Sequence, residues 1–559
     1  KPKLVSGNAI KIHPLITGGY NADFDGDAMS VFVPISEDAK KEAVAMMPSN
    51  NLFSEATGEV MYQPTHESAL GLYRLSEVNK NRPKPVKNYA DAINKARTGA
   101  LGVNDRIKVG DQTTTTGRVL ISSALPPIMQ EGILTDLGTR LNKSGVDSLF
   151  TDLAKNHRAD FGDAANKLKD IGNGAATGIV PVISKGRQGM YQADPEKTVW
   201  IPMGASSISL EDLSPDVASR EKALRPARQR VAEIQSSKMA KRDKERMSIA
   251  EWKKADEQMK KLHLQTPDKG GLRTMLNAKA RMPWDMYKQI TLAPMVLTDS
   301  AGRDQPTPVT KSYSEGLDTG DYWIQMAGAR RGVAMKTQEV REPGYLSKLL
   351  MASTMDMLVA GPDCGTKRGI ALPVTDNNVH DRFLQKDFKA RGLDVPSGTL
   401  LTPDVVSNIR KADKNATLLV RSPLKCEHAK GVCQKCMGKA ATGQDHSLGE
   451  NVGVAATQSM GERAVQLTMR VFHTGGVSGT GGKVVGGLDR FKQLTMLPKD
   501  LPNSTTLAMK SGTVEKVHTT PTGVDIWVGG KRHHVGRDPM GAPLHLPVPG
   551  GPKTGWSPP

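Results

Sequence analysis

The stretch Asn21-Ala22-Asp23-Phe24-Asp25-Gly26-Asp27 constrains this chain more than any other, because it crowds three carboxylates around one glycine. Side chains two residues apart project the same way and Gly26 lets the backbone bend. A tight loop between two strands therefore points Asp23, Asp25 and Asp27 at one spot. The apolar flanks Leu15-Ile16 and Val31-Phe32-Val33 are where such strands would lie. Three like charges brought that close repel one another unless a cation sits among them. Oxygen-only ligands suit a hard ion, and few ligands with room for water and phosphate suit Mg²⁺ better than Ca²⁺. A solvated Asp-rich turn and a calcium loop are the bland alternatives, although the string is far shorter than an EF-hand loop.

At 559 residues the chain has material for roughly three or four domains with cores of their own. It is 38% hydrophobic and 24% charged, and no apolar run approaches the length of a membrane span. No secretory signal pattern is visible, so a cytoplasmic protein without a membrane partner is expected. The chain begins at Lys1 and ends Gly555-Trp556-Ser557-Pro558-Pro559, so both ends read as cuts through a longer protein or split-gene joints. The net charge of +18 suits a polyanionic partner, but a generally basic soluble protein carries the same balance.

Residues 1 to about 80 read as short strands and turns, followed by Glu67-Ser68-Ala69-Leu70-Gly71-Leu72-Tyr73. A mixed section follows, with Pro-rich and Gly-rich breaks near 82–86 and 173–191. From Ser214 to His263 the composition turns to Lys, Arg, Glu, Ala and Met with almost no glycine. The apolar positions Val231, Ile234, Met239, Met247 and Ile249 there predict two helices folded as a hairpin. Residues 318–342 predict one long helix, capped near Asp318 or Thr319 and interrupted at Pro343-Gly344. Strand character returns at Thr513–Val517 and Val524–Val528.

All four cysteines, Cys364, Cys426, Cys433 and Cys436, lie in one region. That clustering predicts a metal site in a reducing compartment rather than a disulfide framework. Cys433-x-x-Cys436 is a zinc-type knuckle, and four thiolates fill a tetrahedral Zn²⁺ shell with no open position, which is a structural role. The alternative is a set of buried free cysteines.

The Asp string resembles the catalytic loop of the largest subunit of multisubunit DNA-dependent RNA polymerases, called β′ in bacteria. Gly7-Asn8-Ala9-Ile10-Lys11-Ile12-His13-Pro14-Leu15 and Met29-Ser30-Val31-Phe32-Val33-Pro34 extend the likeness. Asp363-Cys364-Gly365-Thr366 and Gly431-Val432-Cys433-Gln434-Lys435-Cys436-Met437-Gly438 resemble the second zinc site of bacterial-type β′. Gln466-Leu467-Thr468-Met469-Arg470-Val471-Phe472-His473-Thr474-Gly475-Gly476, a helix with a glycine exit, looks like the trigger loop. Gly328-Ala329-Arg330-Arg331-Gly332 with Gly344-Tyr345-Leu346 resembles the bridge helix. The hairpin, introduced by Gly204-Ala205-Ser206-Ser207-Ile208, resembles the loop and coiled rim of the nucleotide-entry channel. The likeness covers most of residues 5 to 520.

The resemblance implies an α+β multidomain fold. Part of a double-psi β-barrel would carry the Asp loop in 1–80, a pore and cleft region would fill 81–203, and the F-loop and channel-rim hairpin 204–315. The bridge helix would occupy 316–350, the zinc region 351–450, the trigger loop 451–500 and a β-rich segment 501–559. The implied activity is that of a DNA-directed RNA polymerase (EC 2.7.7.6). An RNA 3′-hydroxyl attacks the α-phosphate of an NTP and pyrophosphate leaves. Asp23, Asp25 and Asp27 would hold Mg²⁺, and the four cysteines Zn²⁺. By the same likeness Met469 packs on the incoming base, Arg470 reaches the triphosphate, and His473 orients phosphates or protonates leaving pyrophosphate. Asn21 would contact the sugar. His66 stands where the family commonly has Gln near that sugar. Arg281 is the remnant of a Gly-Ala-Arg-Gly-Ser signature, here Lys279-Ala280-Arg281-Met282-Pro283.

Implied partners are DNA template, RNA transcript, NTPs, the β subunit, the N-terminal part of β′, α and a sigma-like factor. The setting is a bacterial cytoplasm, phage-infected if the gene is a phage's. Departures from the family are greatest around the hairpin at 214–263, and others fall at Met335–Val340, at Pro343, and at Arg463-Ala464 where Pro-Gly is usual. Such drift around intact catalytic residues is expected of a divergent, phage-type homologue. Two other readings compete: an RNA-templated polymerase of the silencing type, and a catalytically inactive, zinc-stabilised nucleic-acid scaffold.

Overall fold

The computed structural model describes residues 3–20, 22–54, 58–182, 199–266, 270–280, 282–299, 303–334, 341–390, 392–440, 443–472, 512–520 and 523–536. It is a mixed α+β structure of helices and small two- and three-stranded sheets. Two compact units divide it, and each is built from three stretches of chain. The first comprises Lys1–Asp212, Lys269–Pro283 and Leu346–Gly461, the second Leu213–Asp268, Trp284–Tyr345 and Glu462–Pro559.

The first unit is organised by a helix crossing that depends on missing side chains. The helix His66–Ser76 meets the helix Phe161–Thr177 so closely that a Cβ on Gly71 would lie 1.8 Å from the Gly172 carbonyl oxygen. A Cβ on Gly172 would lie 2.3 Å from the Ser68 carbonyl oxygen. Only glycine permits that approach. Beside the crossing the Ser68 hydroxyl donates to Asn173 Oδ1 at 2.5 Å. Leu72, Leu75, Leu120, Ile121, Phe150, Leu153, Leu168 and Ile171 close around it as the main core. The glycine-rich break expected from residue 173 therefore starts later. The helix continues through Gly174 and stops at Gly178, which caps it at φ +97°.

A second core in this unit lies under the strand pair Ile370–Pro373 and Thr417–Val420, with Val374, Leu384, Leu401, Val406, Ile409 and Leu418 inside. The short parallel pair Val359–Gly361 and Val432–Cys433 stands next to it in the chain and includes Cys433.

In the second unit the predicted hairpin is present as the helices Val217–Ser236 and Lys241–Gln265. Asp216 closes its foot. Its carboxylate accepts the Ser219 N–H at 3.0 Å as the N-cap and meets His263 Nδ1, in the last turn of the second helix, at 2.7 Å. His263 Nε2 lies 2.9 Å from the Tyr287 hydroxyl. Beneath these, Lys288 and Asp256 form a buried ion pair at 2.6 Å, and Arg220 grips Glu315 with two N–H groups. Leu224, Trp252, Met259, Leu292 and Met295 fill the apolar space between the hairpin and its base.

The long helix expected over 318–342 is described as Thr319–Ala334, and a further helix runs Arg341–Thr354. The expected interruption at Pro343-Gly344 is not there. Pro343 and Gly344 both lie within the described helix Arg341–Thr354. The two strands read near the end are Val514–Thr520 and Gly523–Val528, and Lys531–Gly536 completes an antiparallel three-stranded sheet. Among the described residues, no helix is long and apolar enough to cross a membrane.

Candidate metal centres

The Asp loop converges as the alternation of its carboxylates requires. One ligand oxygen from each of Asp23, Asp25 and Asp27 lies within 4.8 Å of the others, and all three residues are exposed. Gly26 makes the bend at φ +126°. The Asp23 N–H donates to Asp27 Oδ2 at 3.1 Å, and the Asp25 N–H to Asp23 Oδ1 at 3.2 Å. The hydrogen bond with Asp23, and then the charges of Asp23 and Asp27, hold the Asp25 carboxyl above its ordinary range. Like charges gathered this closely disfavour ionisation of one another. Three hard oxygen donors at this separation fit a divalent cation that keeps water or phosphate oxygens of its own.

The flanking strands expected on either side of the loop are not formed among the described residues. Residues 28–35 run without a sheet partner, leaving Val31 75%, Phe32 85%, Val33 69% and Ile35 87% exposed. An extended segment becomes a strand only when a neighbour takes its N–H and C=O groups, and no described segment does so here.

The four cysteines also converge, with Sγ atoms all within 4.8 Å of one another. Two glycines flank the knuckle where a Cβ has no room. Gly431 (φ +72°) lies where a Cβ would come 2.1 Å from the Leu358 carbonyl oxygen, and Gly438 (φ +90°) where one would come 2.6 Å from that of Asp381. Cys433 caps the short helix Gln434–Met437 and accepts the Cys436 N–H at 3.3 Å. Cys426 accepts the Cys433 N–H at 3.4 Å, and Cys364 the Glu427 N–H at 3.5 Å. Cys364 and Cys436 Sγ stand 3.7 Å apart, close to the ~3.8 Å edge of a tetrahedron with Zn–S bonds near 2.3 Å. The donor set and its spacing fit Zn²⁺. Burial works against ionisation, yet the N–H groups of Glu427 and Thr366 bring the Cys364 thiol down to about 6, while burial pushes Cys436 up.

Arg421 escaped the sequence reading and is the main addition the structure makes at this site. It is buried against the cluster and reaches Asp363 Oδ1 at 2.6 Å. Burial opposes ionisation of Asp363. The Gly365 N–H, Arg421 and Lys435 nonetheless hold it far below the usual carboxylate range. Its position five residues before Cys426 gives no motif signal.

The remaining expected site residues are distributed unevenly. His66 is exposed and opens the helix His66–Ser76 at φ +55°. Met469 and Arg470 lie in the helix described over Val452–Phe472. Asn21, Arg281 and His473 lie outside the described residues.

Two family models match stretches of this chain. The family described as RNA polymerase Rpb1, domain 2 matches residues 1–49, which carry the Asp loop. RNA polymerase Rpb1, domain 5 matches residues 316–523, which carry all four cysteines. The DNA-directed RNA polymerase subunit beta′ of Kineococcus radiotolerans is 30% identical over 528 residues, covering 88% of this chain and 39% of that protein. The same subunit of Kocuria rhizophila is 29% identical over 542 residues, with 88% and 39% covered. That of Acetivibrio thermocellus is 30% identical over 531 residues, with 88% and 44% covered. These matches make the chain similar to the largest subunit of the multisubunit RNA polymerases, and within that class to the β′ type. It spans about two fifths of the length of the relatives it matches.

Proposed function

We propose that this chain is the catalytic part of a β′ subunit and contributes to Mg²⁺-dependent, DNA-templated nucleotidyl transfer to the 3′ end of RNA. The observation that carries the reading is the convergence of Asp23, Asp25 and Asp27 on one point. When bound there, Mg²⁺ activates the attacking oxygen and offsets charge on the phosphates. The carboxylates hold the cation in an exposed loop, where an RNA end and a nucleotide can reach it. Arg470 and Met469, on one helix, are proposed to meet the triphosphate and base, and His473 just beyond them the leaving pyrophosphate. Asn21 and His66 are proposed to lie near the substrate sugar, and Arg281 to contact the substrate. Cys364, Cys426, Cys433 and Cys436 would hold Zn²⁺ and fix the local fold without touching substrate.

We assign residues 1–80 to part of the double-psi barrel, 316–350 to the bridge helix and 451–500 to the trigger loop. The bare apolar run Val31–Ile35 supports a barrel completed by other chain segments. Activity then requires the β subunit, N-terminal β′ sequence, and α and sigma-like partners, in a bacterial cytoplasm. The test is extension of an RNA primer on a DNA template by the chain co-expressed with those partners. Extension that needs Mg²⁺ and is abolished by Asp25→Ala supports the reading. A template-bound complex that extends nothing points to a scaffold. Extension only on RNA templates points to a polymerase of the silencing type.

A further inference from the structure

Arg421 contacts three of the four sulfurs. Its Nη2 lies 3.3 Å from Cys436 Sγ, 3.5 Å from Cys364 Sγ and 3.7 Å from Cys433 Sγ. Its Nε lies 3.3 Å from Cys436 Sγ as well. The guanidinium thus lies over the face that Cys364, Cys433 and Cys436 form. Asp363 anchors it from behind at 2.6 Å, and Lys435 braces Asp363 at 3.1 Å.

The chemistry needs such a group. Four thiolates around a divalent ion leave two net negative charges, and Cys433 and Cys436 are fully buried. Uncompensated charge in that setting is costly. Backbone N–H groups serve Cys364, Cys426 and Cys433, whereas Cys436 Sγ, besides its contact with Cys364 Sγ, accepts from two Arg421 N–H groups. A planar fork of five N–H donors can address several sulfurs at once. A lysine ammonium is a single point of charge.

We propose that Arg421 is a positioning residue of the four-cysteine centre, holding Cys364, Cys433 and Cys436 converged and offsetting their charge so that the metal is retained. The inference rests on the zinc reading given above. Asp363 and Lys435 act through Arg421, by fixing where the guanidinium lies.

The experiment uses the full chain, co-expressed with its partners if it requires them, as wild type, Arg421→Met, Arg421→Lys and Asp363→Asn. Bound zinc is counted first, then its transfer to a chromogenic chelator is timed, and the sulfur-to-metal charge-transfer band of the Co²⁺-substituted protein is recorded. We expect Arg421→Met to lose zinc about 10–100-fold faster than wild type, the usual effect of removing an outer-shell partner. Arg421→Lys and Asp363→Asn should fall between the two. Loss of N–H···S hydrogen bonds leaves the sulfurs more electron-rich, so the Co²⁺ band should move to lower energy in the Met variant. Should Arg421→Met not fold, the Lys variant supplies the same comparison. Unchanged zinc release and an unchanged band in the folded variants would overturn the assignment. Wild-type protein that binds neither zinc nor Co²⁺ would instead remove the zinc reading, before any variant is compared.

Discussion

A single methyl group tests the packing of the first unit. Gly71→Ala would push a Cβ into the Gly172 carbonyl, and neither backbone can yield without separating the helices. We expect a loss of at least ~1–3 kcal/mol in urea unfolding. Gly132→Ala, in a helix where a Cβ meets nothing within 4 Å, should be neutral or stabilising by about 0.5–1 kcal/mol. Equal effects of the two substitutions would show that the crossing is looser than described. Glu315 supplies a pH signature at the same scale. The Arg220 hydrogen bonds, against opposing burial, bring its carboxyl down from 4.5 to about 2. A carboxyl depressed in the folded state stabilises above its unfolded value. The second unit should therefore lose this contribution as pH falls from about 4.5 to about 2, and Glu315→Gln should flatten that part of the profile.

The helical hairpin shows how an element with little apolar surface is held at its foot. Lys288 and Asp256 are both buried, so Lys288→Met should destabilise by ~3–5 kcal/mol by leaving a carboxylate without its partner. The double variant Lys288→Met/Asp256→Leu should recover most of that loss, because two apolar residues need no compensation. Thermal unfolding of the three proteins decides it, and a double variant no better than the single would contradict the account. The hairpin itself was legible from its helix-forming composition and apolar spacing. Its clasp was not, because Asp216, His263 and Tyr287 lie far apart in sequence and meet only when the helices turn back. Pro343 shows the opposite error: it reads as a helix breaker, yet it and Gly344 lie inside the helix Arg341–Thr354.

At the scale of the whole molecule the two candidate metal centres should respond differently to chelators. Removing Zn²⁺ should destabilise the region around residues 361–440 and expose its apolar residues to a hydrophobic dye, reversed by Zn²⁺ and not by Mg²⁺. Removing Mg²⁺ should leave thermal stability nearly unchanged, because the Asp loop is exposed and buries no core. A chain whose stability ignored zinc would contradict the structural role. Local sequence determined the Asp loop, the cysteine knuckle, the hairpin and the terminal strands, because each is set by spacing, glycine placement or periodicity within one short segment. The loop's flanking strands are not formed among the described residues, since a strand exists only through a partner and apolar residues alone do not provide one. Tertiary structure alone decided the Gly71–Gly172 crossing and the placing of Arg421 over three sulfurs. Both bring together groups far apart in the chain, and the sequence records neither the distance left between two backbones nor the direction of a buried charge.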